Sequence, residues 1–162
     1  MGAPGTGRRV VRGGSLRIAI VAGRYNEDVT RRLVAGATRK LLGAGVAPSR
    51  LEVRWVPGAF EIPGTARRLL DQGRHDAILC LGTVIRGETP HFDYVAGEAT
   101  RGIGDIARRT GIPIGFGLLT CETEEQAFAR AGGKSGNKGE DAARAALETA
   151  RALAEFEGRA QT

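Results

Sequence analysis

The sequence is short of the residues on which several kinds of chemistry depend. Among 162 residues it has two cysteines, two histidines and one tryptophan. Cys80 lies inside an apolar run and Cys121 just past another, a usage that suits a reducing compartment better than a disulfide framework. No His, Cys and carboxylate spacing suits a metal ion, and no Gly-x-Gly-x-x-Gly follows an apolar run, so no metal and no dinucleotide cofactor is expected. No uninterrupted apolar stretch reaches the roughly 18 residues of a membrane span. The first residues hold arginines and glycines without an apolar centre, so no secretory signal is read and the cytoplasm is the expected location.

Aromatic residues make up only 5% of the chain and are not interleaved with arginines, which removes a stacking platform for single-stranded nucleic acid. What is abundant is positive charge, with a formal net of +6. Half of that excess falls on Arg8, Arg9 and Arg12, which have no acidic neighbours, and the rest is dispersed through Arg/Glu/Asp mixtures. Such a distribution predicts solvated helix faces plus a basic tail, with neither a nucleic-acid nor a membrane partner. Residues 1–14 read as a flexible or partner-ordered arm, residues 15–158 as a single domain, and residues 159–162 as a tail.

Within that domain four apolar runs recur: Ile18 to Ala22, Leu51 to Val56, Ala77 to Ile85, and Ile112 to Leu119. Each is short enough for a strand. The first, third and fourth are almost continuously apolar, as strands of a parallel sheet covered on both faces should be, whereas Leu51-Glu52-Val53-Arg54-Trp55 alternates like an edge strand. Between them Val29, Leu33, Ala37 and Leu41 form a helical stripe behind Asn26, an N-cap residue type, and Gly43 and Gly45 end it. Further stripes run from Ile62 to Leu70, from Val95 to Ala107 in a helix starting near Asp93, and from Ala143 to Ala154, with a short helix over Thr123 to Ala131. Strands alternating with helices predict an α/β fold, a three-layer sandwich with a central, mainly parallel four-stranded sheet and helices on both faces.

In such sheets the ligand crevice lies beyond the carboxyl ends of the strands. Here those ends lead into Gly23-Arg24-Tyr25-Asn26, into Pro57-Gly58-Ala59-Phe60-Glu61, and into Arg86-Gly87-Glu88-Thr89-Pro90-His91, with Phe116-Gly117 on the fourth run. Aromatic rings, a carboxylate, a histidine and glycines thus converge on one face, a composition suited to a planar heterocycle. An imidazole, with a reference pKa of about 6.5, is the natural proton carrier near neutrality, although a histidine beside a helix start also serves as a structural cap. His75, in the polar turn before the third run, sits at the opposite end of the sheet and carries no expected role. Residues 132–139, Gly-Gly-Lys-Ser-Gly-Asn-Lys-Gly, look like a phosphate loop, but Phe128 occupies the place of the first glycine and no strand feeds the segment. They read either as a glycine hinge between helices or as an anion site aided by Arg130, Lys134 and Lys138.

Four segments together resemble one family: Arg24-Tyr25-Asn26, residues 56–63, residues 81–95 with Gly-Thr-Val-Ile-Arg-Gly followed by His91, and Gly136-Asn137-Lys138-Gly139. In order and spacing, over residues 15 to 155, the chain resembles the lumazine synthases. The resemblance implies a flavodoxin-like strand order and a transferase of riboflavin biosynthesis that needs no cofactor. Its two small-molecule substrates would be 5-amino-6-(D-ribitylamino)uracil and 3,4-dihydroxy-2-butanone 4-phosphate, condensed to 6,7-dimethyl-8-ribityllumazine with release of phosphate and water. It implies His91 as the proton carrier and Tyr25 as the ring stacked on the pyrimidine. Ala59, Phe60 and Glu61 would hold the ribityl chain, Thr83, Val84 and Ile85 the pyrimidine edge, and Glu88 (through its N–H) and Thr89 the phosphate. Phe116 and Arg130 would reach the site from a neighbouring subunit, with Arg130 on the phosphate, and Lys138 and Asp141 would be secondary polar groups. Homopentamers are implied, and a 60-subunit icosahedral shell with riboflavin synthase as cargo is the larger assembly expected.

Pro90, directly before His91, departs from the family pattern and stiffens the loop. Two rival readings remain at this point. An archaeal-type riboflavin synthase would convert two lumazines, and a flavin-binding container would use the same crevice for storage alone. The phosphate-directed Arg130 beside a proton-carrying His91 favours the condensation over both.

Overall fold

The computed structural model describes residues 15–159. The expected arm, residues 1–14, and residues 160–162 lie outside the described residues. Strands β1 (Ile18–Gly23), β2 (Leu51–Val56), β3 (Ala77–Ile85) and β4 (Ile114–Cys121) form one parallel sheet in the order β2-β1-β3-β4. Helices α1 (Glu27–Gly43), α2 (Ile62–Asp71) and α3 (His91–Thr110) make the crossovers. A short α4 (Glu124–Ala129), a hairpin of β5 (Ala131–Gly133) and β6 (Gly136–Asn137), and the long α5 (Lys138–Arg159) complete the chain. The three-layer α/β architecture read from the sequence is the one observed.

Because alternate residues of a strand face opposite sides, the sheet feeds two cores. Ile18, Ile20, Leu79, Leu81 and Leu119 pack with Leu33 and Leu41 of α1 and Leu147 of α5. Ala19, Val21, Ile78, Cys80 and Leu118 pack with Ile62 and Ala66 of α2 and Ala99 and Ile103 of α3. Every residue of β1 is buried, which accounts for its unbroken apolar run. At β4 both faces are covered, as its apolar run suggests, and only the start of the strand differs. Among the described residues it pairs with β3 alone, as the second edge of the sheet, and it begins two residues later than its apolar run. Its apolar character reflects the helices that cover its faces; a strand on its other side is not needed to explain it.

Two further corrections concern local structure. Asn26 does precede α1, but its side chain does not cap the helix. It sits at φ 58 and ψ 47, in the left-handed region, and donates its amide Nδ2 to the Thr83 carbonyl at 3.1 Å. Residues 132–139 are not a bare hinge between helices. Gly136, at φ +80, turns the β5–β6 hairpin, and the Asn137 carboxamide then accepts the N–H groups of Gly139 at 2.9 Å and Glu140 at 3.2 Å to cap α5. Asn137 Nδ2 also donates to the Arg32 carbonyl at 3.0 Å, tying α5 to α1. A Cβ on Gly139 would overlap the Leu33 backbone, and one on Gly36 would overlap Asn137, so these two helices cross backbone against backbone.

Candidate active site

The cleft is assembled where β1, β2 and β3 end. Past β1, the Arg24 N–H donates to the Val56 carbonyl at 2.8 Å and the Tyr25 N–H to that of Pro57 at 2.9 Å, so the two loops run side by side. This lays the Tyr25 ring against Gly58, where a Cβ would overlap the ring. The chain then makes a 3-10 turn over Ala59–Glu61, and Glu61 Oε2 accepts the Gly58 N–H at 3.0 Å. One oxygen of the carboxylate expected to take ligand hydroxyls is therefore engaged in holding its own loop.

Opposite this wall stands the start of α3. The helix begins at His91 itself, two residues earlier than the sequence suggests, because Pro90 at φ −67 is already shaped to precede a first turn. The Thr89 hydroxyl accepts the His91 N–H at 3.4 Å, and among the described residues the His91 imidazole makes no hydrogen bond. A cavity of about 440 Å3 lies between the two walls, lined by Tyr25, Gly58, Ala59, Phe60, Glu61 and His91, with Tyr94 and Val95 beyond them. An adjoining hollow of about 240 Å3 shares Tyr25, Ala59, His91 and Val95 and adds Asn26, Thr83, Val84, Ile85, Gly87, Thr89 and Phe92. Together they have the size of a pocket for a small ligand. Tyr25 is 69% exposed and Phe60 60%, large apolar surfaces that a planar ligand would cover.

Nine of the expected site residues line this cleft: His91, Tyr25, Ala59, Phe60, Glu61, Thr83, Val84, Ile85 and Thr89. Glu88 is exposed on the loop before α3 and does not line it. Phe116, Arg130, Lys138 and Asp141 do not line it either. Arg130, Lys138 and Asp141 lie together where α5 starts, against the face of β4 that carries Gly117, whereas Phe116 alternates to the face packed on α2 and α3. Phe116 is 47% exposed on β4; the Lys138 N–H donates to the Arg130 carbonyl at 2.8 Å; and the Lys138 ammonium pairs with Asp141 at 3.1 Å. Arg130 Nη1 donates to the Gln126 carbonyl at 3.0 Å. Its charge also reaches Cys121, whose thiol burial pushes up and Arg130 partly draws back.

Sequence reasoning passed over Tyr94, which is 74% exposed and lines the larger cavity. Its signal was helical spacing: with α3 starting at His91, Tyr94 follows one turn later on the same face. It also assigned no role to Arg86, whose charge is strengthened first by its hydrogen bond to Asp93 and then by Glu122. At the other end of the sheet His75 is almost wholly buried, with Nε2 2.5 Å from Glu52 Oε1 and Nδ1 3.3 Å from the Leu69 carbonyl. It is an internal tie far from the cleft, as expected of a residue with no catalytic part. Cys80, at the centre of β3, has its thiol pushed up to about 12 by burial and lies in a core.

A cleft over the strand carboxyl ends of a three-layer α/β sheet, with an imidazole facing a carboxylate and aromatic rings, defines the class: an α/β enzyme that works on a small organic substrate. Residues 15–154 match the family model described as 6,7-dimethyl-8-ribityllumazine synthase. The chain is 55% identical over 137 residues to a protein of Gemmatimonas aurantiaca (strain DSM 14586 / JCM 11422 / NBRC 100505 / T-27) named 6,7-dimethyl-8-ribityllumazine synthase, a match covering 85% of this chain and 84% of that relative. The chain belongs to the 6,7-dimethyl-8-ribityllumazine synthase family and is an enzyme of riboflavin biosynthesis. Among the described residues no helix is long and apolar enough to cross a membrane.

Proposed function

We propose that the chain condenses 5-amino-6-(D-ribitylamino)uracil with 3,4-dihydroxy-2-butanone 4-phosphate to give 6,7-dimethyl-8-ribityllumazine, with release of phosphate and water. The observation that carries this reading is the facing of Tyr25 and His91 across one cleft, a ring surface for a heterocycle opposite a base. The uracil stacks on Tyr25, its ribityl chain runs along Ala59, Phe60 and Glu61, and main-chain groups of Thr83, Val84 and Ile85 meet its edge. The Thr89 hydroxyl and the Glu88 N–H lie on the loop toward which the phosphate points.

The chemistry is a series of proton transfers. The uracil amine adds to the butanone carbonyl, and the adduct loses water to form an imine. A proton leaves the adjacent carbon as phosphate departs from its neighbour, and the enol so formed becomes a ketone. The ribitylamino nitrogen attacks that ketone, and a second loss of water closes the ring. Each step needs a proton taken from one atom and given to another, the work of His91. Binding both substrates side by side supplies the rest of the acceleration, because good orientation alone is worth about 7–11 kcal/mol in favourable cases. This sequence uses no redox step, so the reading assigns the enzyme no cofactor.

Phe116 and Arg130 belong to this reaction as the contribution of a neighbouring copy, with Lys138 and Asp141 as secondary polar groups. That none of the four lines the cleft of its own chain supports a site composed of two subunits repeated around a pentamer. A shell of twelve pentamers, able to enclose riboflavin synthase, is the assembly proposed, and sedimentation that finds nothing larger than free pentamers or decamers would reject it. The two buried free cysteines support a cytoplasmic setting.

The test is direct. Purified protein given the two substrates, without added metal or nucleotide, should accelerate lumazine formation over a no-enzyme control, and His91→Ala should lower turnover by about 10²- to 10⁴-fold. Binding of flavin without any product would instead make the chain a carrier.

A further inference from the structure

Nothing in the side-chain contacts of His91 explains how its imidazole is placed, since the ring makes no hydrogen bond among the described residues. Its placement must come from the main chain of the first turn of α3. That turn hangs on a four-residue loop, residues 87–90, all exposed and including Gly87, which meets no neighbouring atom where a Cβ would be. Such a loop does not fix a helix start by itself.

Arg86 does. Its N–H donates to the Cys121 carbonyl at 2.9 Å, continuing the register of β3 with β4 one residue past the end of the strand. Its guanidinium then spans the gap that the loop leaves open. Nε donates to Glu122 Oε2 at 2.8 Å, while Nη2 and Nη1 donate to the two oxygens of Asp93 at 3.2 and 3.4 Å. The same guanidinium lies over the Phe92 ring, 4.4 Å from its centroid. Phe92 and Asp93 are the two residues that follow His91, and Phe92 itself lines the cleft. Arg86 lines neither part of the cleft, so its charge is turned to these partners.

We infer that Arg86 is a positioning residue for the reaction: it clamps the first turn of α3 to the end of β4 and so sets where His91 meets the substrates. The planar fork of arginine is required, because a lysine ammonium cannot serve Glu122, both oxygens of Asp93 and the Phe92 face at once. The effect on rate follows from geometry, since a displacement of about 1 Å at a reacting group can cost about 10²-fold. The inference rests on the reading of His91 given above.

The experiment compares Arg86→Met, Arg86→Lys and Glu122→Gln with the unaltered enzyme and with His91→Ala, each checked for the same assembly state by sedimentation. Arg86→Met should lower kcat by about 10- to 100-fold, with KM for each substrate within about 2-fold. Arg86→Lys should recover only part of that loss, and Glu122→Gln, which leaves the Asp93 fork intact, should lose a few-fold. Adding Glu122→Gln to Arg86→Met should change nothing further, because both act through one clamp. An unchanged kcat in Arg86→Met, with His91→Ala slow, overturns the inference and leaves the reading of His91 standing. A rise in KM for the butanone phosphate at constant kcat overturns it too, by making Arg86 a ligand contact. If His91→Ala turns over normally, the reading itself has failed. Should Arg86→Met not assemble, the kcat of Glu122→Gln decides the matter, and an unchanged value rejects the clamp.

Discussion

The Asn26 side-chain amide donates to the main-chain carbonyl of Thr83 across 3.1 Å, from a backbone held at φ 58. Two separate properties of asparagine are used here, its tolerance of the left-handed region and its carboxamide. They can be pulled apart. Asn26→Gly keeps the backbone and loses the bond, and should cost about 0.5–1.5 kcal/mol in denaturant unfolding. Asn26→Ala loses both and should cost about 1–2 kcal/mol more. Equal losses in the two variants would show that the backbone conformation contributes nothing.

Gly58 makes a different point, because its φ of −156 is extended backbone that any residue adopts. Its lack of a side chain matters only to Tyr25, whose ring a Cβ would overlap. Gly58 is buried, so Gly58→Ala should overpack this contact and cost about 1–3 kcal/mol unless the exposed Tyr25 ring swings aside. It should raise KM for the ribitylaminouracil several-fold by displacing the stacking ring. Unaltered kinetics would remove Tyr25 from the pyrimidine site.

The separation of Arg130 from the cleft of its own chain gives a test of the composite site. Arg130→Ala alone should chiefly raise KM for the butanone phosphate, by loss of a charge-assisted contact. Coassembled with His91→Ala from an equal mixture of denatured chains and assayed at butanone phosphate far below the raised KM of Arg130→Ala, it should recover activity at about a quarter of the sites, those where intact halves of different chains meet. Mixtures no more active than the separate variants would place both residues in one chain's site.

At the other end of the sheet, burial pushes the Glu52 carboxyl up, but the hydrogen bond with His75 and the Arg54 guanidinium outweigh it, and the carboxyl titrates below its ordinary range. A folded pKa below the unfolded one stabilises the fold above the ordinary carboxylate range, and that contribution disappears as pH falls through the folded value. The stability gap between the unaltered protein and Glu52→Gln should thus be widest near neutral pH and narrow on acidification below the carboxylate range. A gap that widens with acid would contradict the assignment.

Much of this structure is legible in the sequence because burial leaves periodic marks. Val29, Leu33, Ala37 and Leu41 all proved buried on the inner face of α1, and the alternation of Leu51 to Trp55 marked the β2 edge. The same marks start β4 two residues early, and they report which faces are covered without saying which strand lies alongside. Asn26 has the composition of a cap, yet its side chain crosses to β3, a partner 57 residues away that no local pattern can signal. The cleft was readable from the segments after β1, β2 and β3. Arg86 was not, because its role depends on Glu122, which only the pairing of β3 with β4 brings near.

That the His91 ring has no hydrogen-bond partner among the described residues has a mechanical meaning. In many hydrolytic centres the imidazole is leashed by a second residue and serves one bond in one direction. Here the main chain is the fixed post and the ring a swivel, free to turn on the picosecond-to-nanosecond scale of exposed side chains, far faster than typical turnover. On the reaction proposed above, one such swivel would reach nitrogen, carbon and oxygen in succession, and the multistep condensation would need no relay of separate acids and bases.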